Sequence, residues 1–323
     1  MANISVNYLG LELKSPFIVA SSGLTADVEK VKQMEIAGAG AVVIKSLFEE
    51  QINNETEFLS KESLEYPEMA DYLQGYVRQN SISKYLDHIT ELKKSVSIPV
   101  IASINCFSKG EWLSYARNIE AAGADALEIN IYALPFSINV SSQEMEDEYY
   151  DVVRSIVESV KIPIAVKIGR HFTNIPAFVH RLAGCGARAV VMFNRFYSPD
   201  IDLENLKLIP ASPLSDANEY RKGLRWVAIT SSIVKNIDYS ISTGIHTPES
   251  AIKSILVGGK TVQLCSVLYQ EGIDKIAEFN TALKAFMDKQ GYEILGDMRG
   301  KLSYANFNDP ASFERVQFMK VYK

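Results

Sequence analysis

AGAGAVVIK (residues 37–45), AAGADALEIN (121–130), LAGCGARAVVMF (182–193) and LVGGKTVQLC (256–265) share one build. Each carries a small-residue, glycine-bearing step into a short apolar run. Two further runs, SIPVIASI (97–104) and KIPIAVKI (161–168), follow Ile-Pro, and PFIVA (16–20) follows a serine. With YSISTG (239–244) this gives eight expected strands: Pro16 to Ala20, Ala41 to Lys45, Pro99 to Asn105, Ala126 to Ile131, Pro163 to Ile168, Ala189 to Asn194, Tyr239 to Gly244 and Thr261 to Ser266. Unbroken apolar runs, rather than strict alternation, mark strands covered on both faces, as in a parallel sheet.

The segments between the runs read as helices. ADVEKVKQMEIAG (26–38) places Val28, Val31, Met34 and Ile36 near a helical period and ends on a glycine. EWLSYARNIEAAG (111–123) has the same build. TPESAIKSILVGG (247–259) adds Thr247 as an N-cap and Pro248 at the first helical position. The unit strand–helix–glycine–strand–helix is used four times, so the predicted fold is a (β/α)8 TIM barrel. A doubly wound open sheet is the alternative, but SSGLTAD (21–27), after the first strand, is not the G-x-G-x-x-G expected there.

The remaining arithmetic is consistent with one large core. The chain has 323 residues, 47% hydrophobic and 22% charged, which excludes disorder as its main character. No low-complexity linker divides it, so 1–323 is read as a single domain. Thirty-three Lys and Arg against 39 Asp and Glu give a formal net charge of −6, a poor match for nucleic acid or an anionic membrane. Cys106, Cys185 and Cys265 are far apart and odd in number. They make no disulfide framework and no iron–sulfur motif. With no signal-peptide pattern at the start and no apolar run near ~20 residues, a cytoplasmic protein is expected.

Three connections are too long for plain βα links: Ser46 to Ser97, Tyr132 to Val160 and Arg195 to Asp238. All follow strand C-termini, where barrels carry lids and substrate loops. The chemistry of a barrel sits at the same end. The residues standing there are Ser21 and Ser22, Lys45 and Ser46, Asn105, Asn130, Lys167, Asn194, Thr243 and Gly244, and Cys265 and Ser266. Lysine at the end of an apolar strand is unusual unless it is paired or reaches solvent. Asn130 and Asn194 offer donors and acceptors that suit a planar, amide-rich ligand, or else cap loops. Thr243-Gly244 and Cys265-Ser266 end the last two strands, where barrels often bind phosphate through backbone N–H groups. His88, His171, His180 and His246 form no metal-ligand pattern and read as surface or packing residues. EMEDEYYD (144–151) reads as the acidic start of a helix. Two enzymes fit these residues: one holding a phosphate-bearing planar cofactor, and a Schiff-base aldolase with Lys167 as the amine.

The segments PFIVASSG, GAGAVVIKS, PVIASINC, GADALEIN, IPIAVKI, STGIHTPESAIKSILVGGKTVQLCSVLYQEG and QGYEILGDMRGKLS together resemble the dihydroorotate dehydrogenase family and the pyrimidine domain of dihydropyrimidine dehydrogenases. That resemblance implies an FMN-dependent barrel enzyme of pyrimidine biosynthesis, a homodimer by analogy with soluble relatives. It implies that Ala20, Ser21, Lys45 and Ser46 line the flavin, with Lys167 at its electron-rich edge. Gly223, in a remnant of the flavin loop at Arg221 to Arg225, joins Thr243, Gly244, Cys265 and Ser266 on the cofactor. Lys45, Asn130 and Asn194 serve the pyrimidine, and Asn130 also touches the flavin. The family's base is a Cys or Ser in an N-L-S-C-P-N-type loop. Here the loop begins Asn130-Ile131-Tyr132-Ala133-Leu134-Pro135, and alanine cannot take a proton. Tyr132 and Ser137 are the candidate replacements on that loop. Arg195 and Arg225 are candidates for a substrate carboxylate. The alternative is a flavin-binding relative that acts on another substrate or is inactive.

Overall fold

The computed structural model describes residues 2–48, 67–106, 112–131, 133–134, 136–196, 198–308 and 313. In chain order its elements begin with β1 (Val6–Tyr8), β2 (Leu11–Leu13), β3 (Phe17–Val19), α1 (Val28–Ile36), β4 (Ala41–Val43), β5 (Leu47–Phe48) and α2 (Pro67–Ser95). Next come β6 (Val100–Cys106), α3 (Trp112–Ala121), β7 (Ala126–Ile131), α4 (Ser142–Ser159), β8 (Ile164–Ile168), α5 (Ile175–Gly184) and β9 (Ala189–Met192). The last are β10 (Pro199–Asp202), β11 (Lys207–Pro210), α6 (Tyr220–Ile233), β12 (Asp238–Ile241), α7 (Pro248–Leu256), β13 (Thr261–Leu264), α8 (Ser266–Glu271), α9 (Lys275–Gln290) and α10 (Leu295–Met298).

Strands β3, β4, β6, β7, β8, β9, β12 and β13 pair in parallel, each with the next, and β13 returns to β3. The result is the expected closed eight-stranded barrel. All eight predicted runs fall on these strands. Every residue of β3, β4, β7, β8, β9 and β13 is buried, the two-faced burial that produced the unbroken apolar runs. The helices lie outside, and a continuous core fills the layer between them and the barrel.

Inside the barrel a second, smaller cluster runs through Ile18, Ala41, Val43, Ile101, Ala126, Ala165, Ala189 and Val191. Four of these positions are alanine because another side chain needs the space. The β1–β2 hairpin crosses the N-terminal end of the barrel and inserts Tyr8 and Leu9, both buried. Its two-residue turn puts Leu9 at φ 59° and Gly10 at φ 81°, a mirror-image turn that suits a hairpin. Leucine is a poor choice there, but its side chain is part of the plug. Its N–H donates to Asp238 Oδ2 at 3.0 Å. This end is sealed.

The helix ends follow the sequence closely. Thr247 caps α7, with its Oγ1 accepting from the Ser250 N–H at 3.3 Å and Ser250 answering in a capping box. We expect Thr247→Ala to cost about 1 kcal/mol in chemical denaturation; a neutral result would show that Pro248 alone starts the helix. The acidic run 144–151 lies in α4, whose N-cap is Ser141 boxed with Glu144.

Some boundaries differ from expectation. Strand β4 stops at Val43, β9 at Met192 and β12 at Ile241. Lys45, Asn194, Thr243 and Gly244 therefore stand in the loops just past the strands. Arg221 to Arg225, expected as a loop, is the first turns of α6. Gly223 lets that helix approach the barrel, since a Cβ there would sit 3.2 Å from the Met192 carbonyl oxygen. The long third connection holds the exposed β10–β11 hairpin. Residues 301–308 pack on the outside, with backbone bonds from Leu302 to Leu256 and from Tyr304 to Ala228.

Candidate active site

Strand register brings the buried polar groups together. Side chains two apart on one strand share a face, and paired residues of neighbouring strands face the same way. Glu128 and Asn130 on β7 therefore look into the barrel beside Lys167 of β8, which pairs with Asn130. Gln263 enters from β13, in register with Ile18 of the inner cluster.

Lys167 is 7% exposed and Glu128 2%. The Lys167 ammonium donates to Gln263 Oε1 at 2.9 Å, and Gln263 Nε2 donates to Glu128 Oε2 at 2.6 Å. Glu128 Oε1 lies 3.4 Å from the ammonium. Two opposite charges and one amide thus close a ring below the mouth. Ionised groups persist at such burial only when paired and hydrogen-bonded in this way.

Above this ring lies a cavity of about 160 Å³. Nine residues singled out from the sequence line it: Ala20, Ser21, Lys167, Asn194, Arg195, Thr243, Gly244, Cys265 and Ser266. At one end Ser215 ties the last two strand ends together. Its N–H donates to Ser266 Oγ at 2.9 Å, and its Oγ donates to Ser266 Oγ at 3.0 Å and accepts the Gly244 N–H at 3.2 Å. His246 Nε2 is 3.0 Å from the same hydroxyl. The Cys265 thiol is held above its usual range, chiefly by burial, so it lines the cavity in its neutral form. At the other side Asn194 Nδ2 donates to Asn130 Oδ1 at 2.7 Å, so the two asparagines meet across β8. Ser21 Oγ, Ser46 Oγ and Ser103 Oγ form a chain with 3.0 Å and 2.7 Å links.

Other sequence candidates stand apart. Lys45 is exposed and lines neither this cavity nor its neighbour. Ser137 is exposed, and its Oγ accepts the Asn139 N–H at 3.1 Å, closing a turn in the loop. Tyr132 lies outside the described residues. Ala133 is buried, with its N–H donating to Tyr149 Oη at 3.2 Å. It shares a separate cavity of about 110 Å³ with His171, whose imidazole folds back over Gly169. Burial lowers the pKa of His171. Gly223 lines the neighbouring cavity of about 260 Å³, along with Asn194, Arg195 and Thr243.

Sequence reasoning missed Glu128, Gln263 and Ser215. The first two carry a readable signal, being polar residues inside apolar runs and two positions from a strand-end candidate. Ser215 sits in a long loop, and nothing in its neighbours marks it. Among the described residues no cluster of three or more His, Cys, Asp and Glu could hold a metal ion, and no helix is long and apolar enough to cross a membrane.

Curated relatives align over nearly the whole chain. A protein named dihydroorotate dehydrogenase B (NAD(+)), catalytic subunit, from Thermoplasma volcanium is 26% identical over 306 residues, 93% of this chain and 98% of the relative. One of the same name from Methanosarcina acetivorans is 26% identical, covering 91% and 94%. A dihydroorotate dehydrogenase A (fumarate) from Lactobacillus delbrueckii subsp. bulgaricus is 24% identical, covering 94% and 100%. The family model described as dihydroorotate dehydrogenase matches residues 3–287, so this parallel barrel, with its lysine-floored mouth, belongs to the dihydroorotate dehydrogenase family.

Proposed function

We propose that the chain is an FMN-dependent oxidoreductase acting on the CH–CH bond of a dihydropyrimidine-like substrate, with residues 1–323 forming one flavin-binding domain. The observation that carries this reading is the buried Lys167 at the floor of a cavity whose far end is a set of neutral donors. The donor set fits the group: Ser215, Gly244 and Ser266 converge at one end of the cavity. Thr243, Gly244, Cys265 and Ser266 would hold the phosphate, with Ala20, Ser21, Ser46 and Gly223 beside the flavin. Bound flavin supplies the two-electron acceptor.

The chain's own residues do the rest. Lys167 would stand at the electron-rich edge of the flavin, where a lysine favours the reduced state. Asn130 and Asn194, already pointing at each other, present amide donors and acceptors to a planar ring. Lys45, exposed just past β4 and outside both cavities, would have to reach back over the mouth to meet an acidic substituent. Proton removal from the substrate carbon needs a group other than Ala133. Tyr132 and Ser137 are the proposed replacements on that loop. A cytoplasmic homodimer is part of the same reading.

Ala133 also supports a second reading, a flavin protein of this family with a different substrate or no turnover. One experiment separates the two. The purified protein should be yellow, with flavin absorbance near one FMN per chain. Anaerobic addition of dihydroorotate should bleach it. Colourless protein that takes up no FMN would sink both readings, whereas yellow protein that stays yellow would leave only the second.

A further inference from the structure

A second cavity, of about 260 Å³, adjoins the one floored by Lys167 and shares Asn194, Arg195, Ser242 and Thr243 with it. Its charge is lopsided. Among the described residues lining it are three cations, Arg170, Arg195 and Lys222, and one carboxylate, Glu219. Glu219 is already spoken for. Its Oε1 accepts from Arg195 Nε at 3.3 Å and from the Asp216 N–H at 2.9 Å. Arg195 is held a second time, with Nη1 donating to the Pro213 carbonyl at 3.1 Å. Nothing described within hydrogen-bond or ion-pair reach engages the side chains of Arg170 or Lys222.

A guanidinium held at both Nε and Nη1 keeps its remaining N–H groups in a known direction. It loses little conformational freedom when an anion docks. Two uncommitted cations beside it leave the cavity with a net positive charge in a chain of net charge −6. The neutral serine and backbone donors at Ser215, Gly244 and Ser266 form a separate cradle at the far end of the first cavity. We infer that Arg195, Arg170 and Lys222 form a subsite for a small anionic group, a carboxylate or a phosphate, on a molecule bound beside Asn194. This goes beyond the flavin reading and does not depend on it, since the cations stand ready whether or not flavin is held.

Calorimetric titration of the purified protein with succinate and, separately, with inorganic phosphate tests it. Flavin content is measured on every sample, so a failure of the flavin reading shows itself independently. One succinate should bind per chain, more weakly at 0.3 M than at 0.05 M salt on the order expected for exposed charges. Arg170→Ala with Lys222→Ala should weaken it at least tenfold while leaving the melting temperature without anion unchanged. Arg195→Lys, which keeps the charge but loses the fork, should also weaken it about tenfold. Phosphate that loses affinity in the double variant sits in this subsite. Phosphate that keeps its affinity there but loses it in Ser266→Ala sits in the serine cradle. Succinate affinity within twofold of the parent in the double variant, or no heat from either anion, overturns the inference.

Discussion

Lys167→Met should lower the free energy of unfolding by about 3–5 kcal/mol, the usual result of removing one partner from a buried ion pair. The lysine is the cation that balances Glu128, which stands 2% exposed at 3.4 Å. Without it, the carboxylate keeps, among the described residues, the Gln263 amide at 2.6 Å. Thermal melts should show a fall on the order of 6–10 °C, taking ~2 °C per kcal/mol for a chain of this size. The companion variant decides the cause. Lys167→Met combined with Glu128→Leu removes both charges and should recover most of the loss, because an apolar pair of similar volume is often as stable as a buried ion pair. Equal losses in the single and double variants would mean that the damage comes from packing and that the charges are not coupled.

Gly244→Ala is the second large effect. At φ 78° the residue is in the left-handed region, where a side chain costs about 1–2 kcal/mol. Its added Cβ would also lie 2.3 Å from the Tyr220 nitrogen, 2.9 Å from the Glu219 carbonyl carbon and 3.0 Å from the Asp216 oxygen. All three are backbone atoms and cannot swing aside. Overpacking of this kind adds about 1–3 kcal/mol, for a total of about 2–5 kcal/mol. The start of α6 must shift, and with it the Gly244 N–H bond to Ser215 Oγ. Flavin retained per chain should therefore fall at least tenfold under the proposed function. Gly272→Ala is the control, being at φ 90° with nothing within 4 Å of its Cβ. Similar losses at the two sites would refute the crowding account.

The barrel was legible because its strands are covered on both faces, which leaves unbroken apolar runs with glycine or Ile-Pro in front. AAGADALEIN alone gives a helix end, a turn and five of the six residues of β7. The hairpin that plugs the barrel was not legible. VNYLGLEL puts a leucine where a mirror-image turn favours Asn, Asp or Gly, and only the burial of Leu9 explains it. The inner alanines at 41, 126, 165 and 189 were visible, but their meaning depends on Tyr8, more than thirty residues away from the nearest of them in sequence. At the mouth, the identity of the lining residues was readable from strand ends. The ring of Lys167, Gln263 and Glu128 was not, because it closes between β7, β8 and β13 and depends on barrel closure. Arg221 to Arg225 misled as a loop because the segment was matched to the family's glycine-rich flavin loop, whereas it is helical and Gly223 is a point of close helix-to-strand approach.

Tyr8 and Leu9 turn the barrel into a blind cup. A cup has one doorway. Among the described residues, the cavity that reaches Lys167 is lined by Asn194 and Ser266. Under the proposed function, an electron donor and an electron acceptor cannot be served from opposite ends of such a vessel. They either take turns on the same step or approach it side by side, so the traffic at the rim, with its loops and its exposed hairpin, governs the order of events in each cycle.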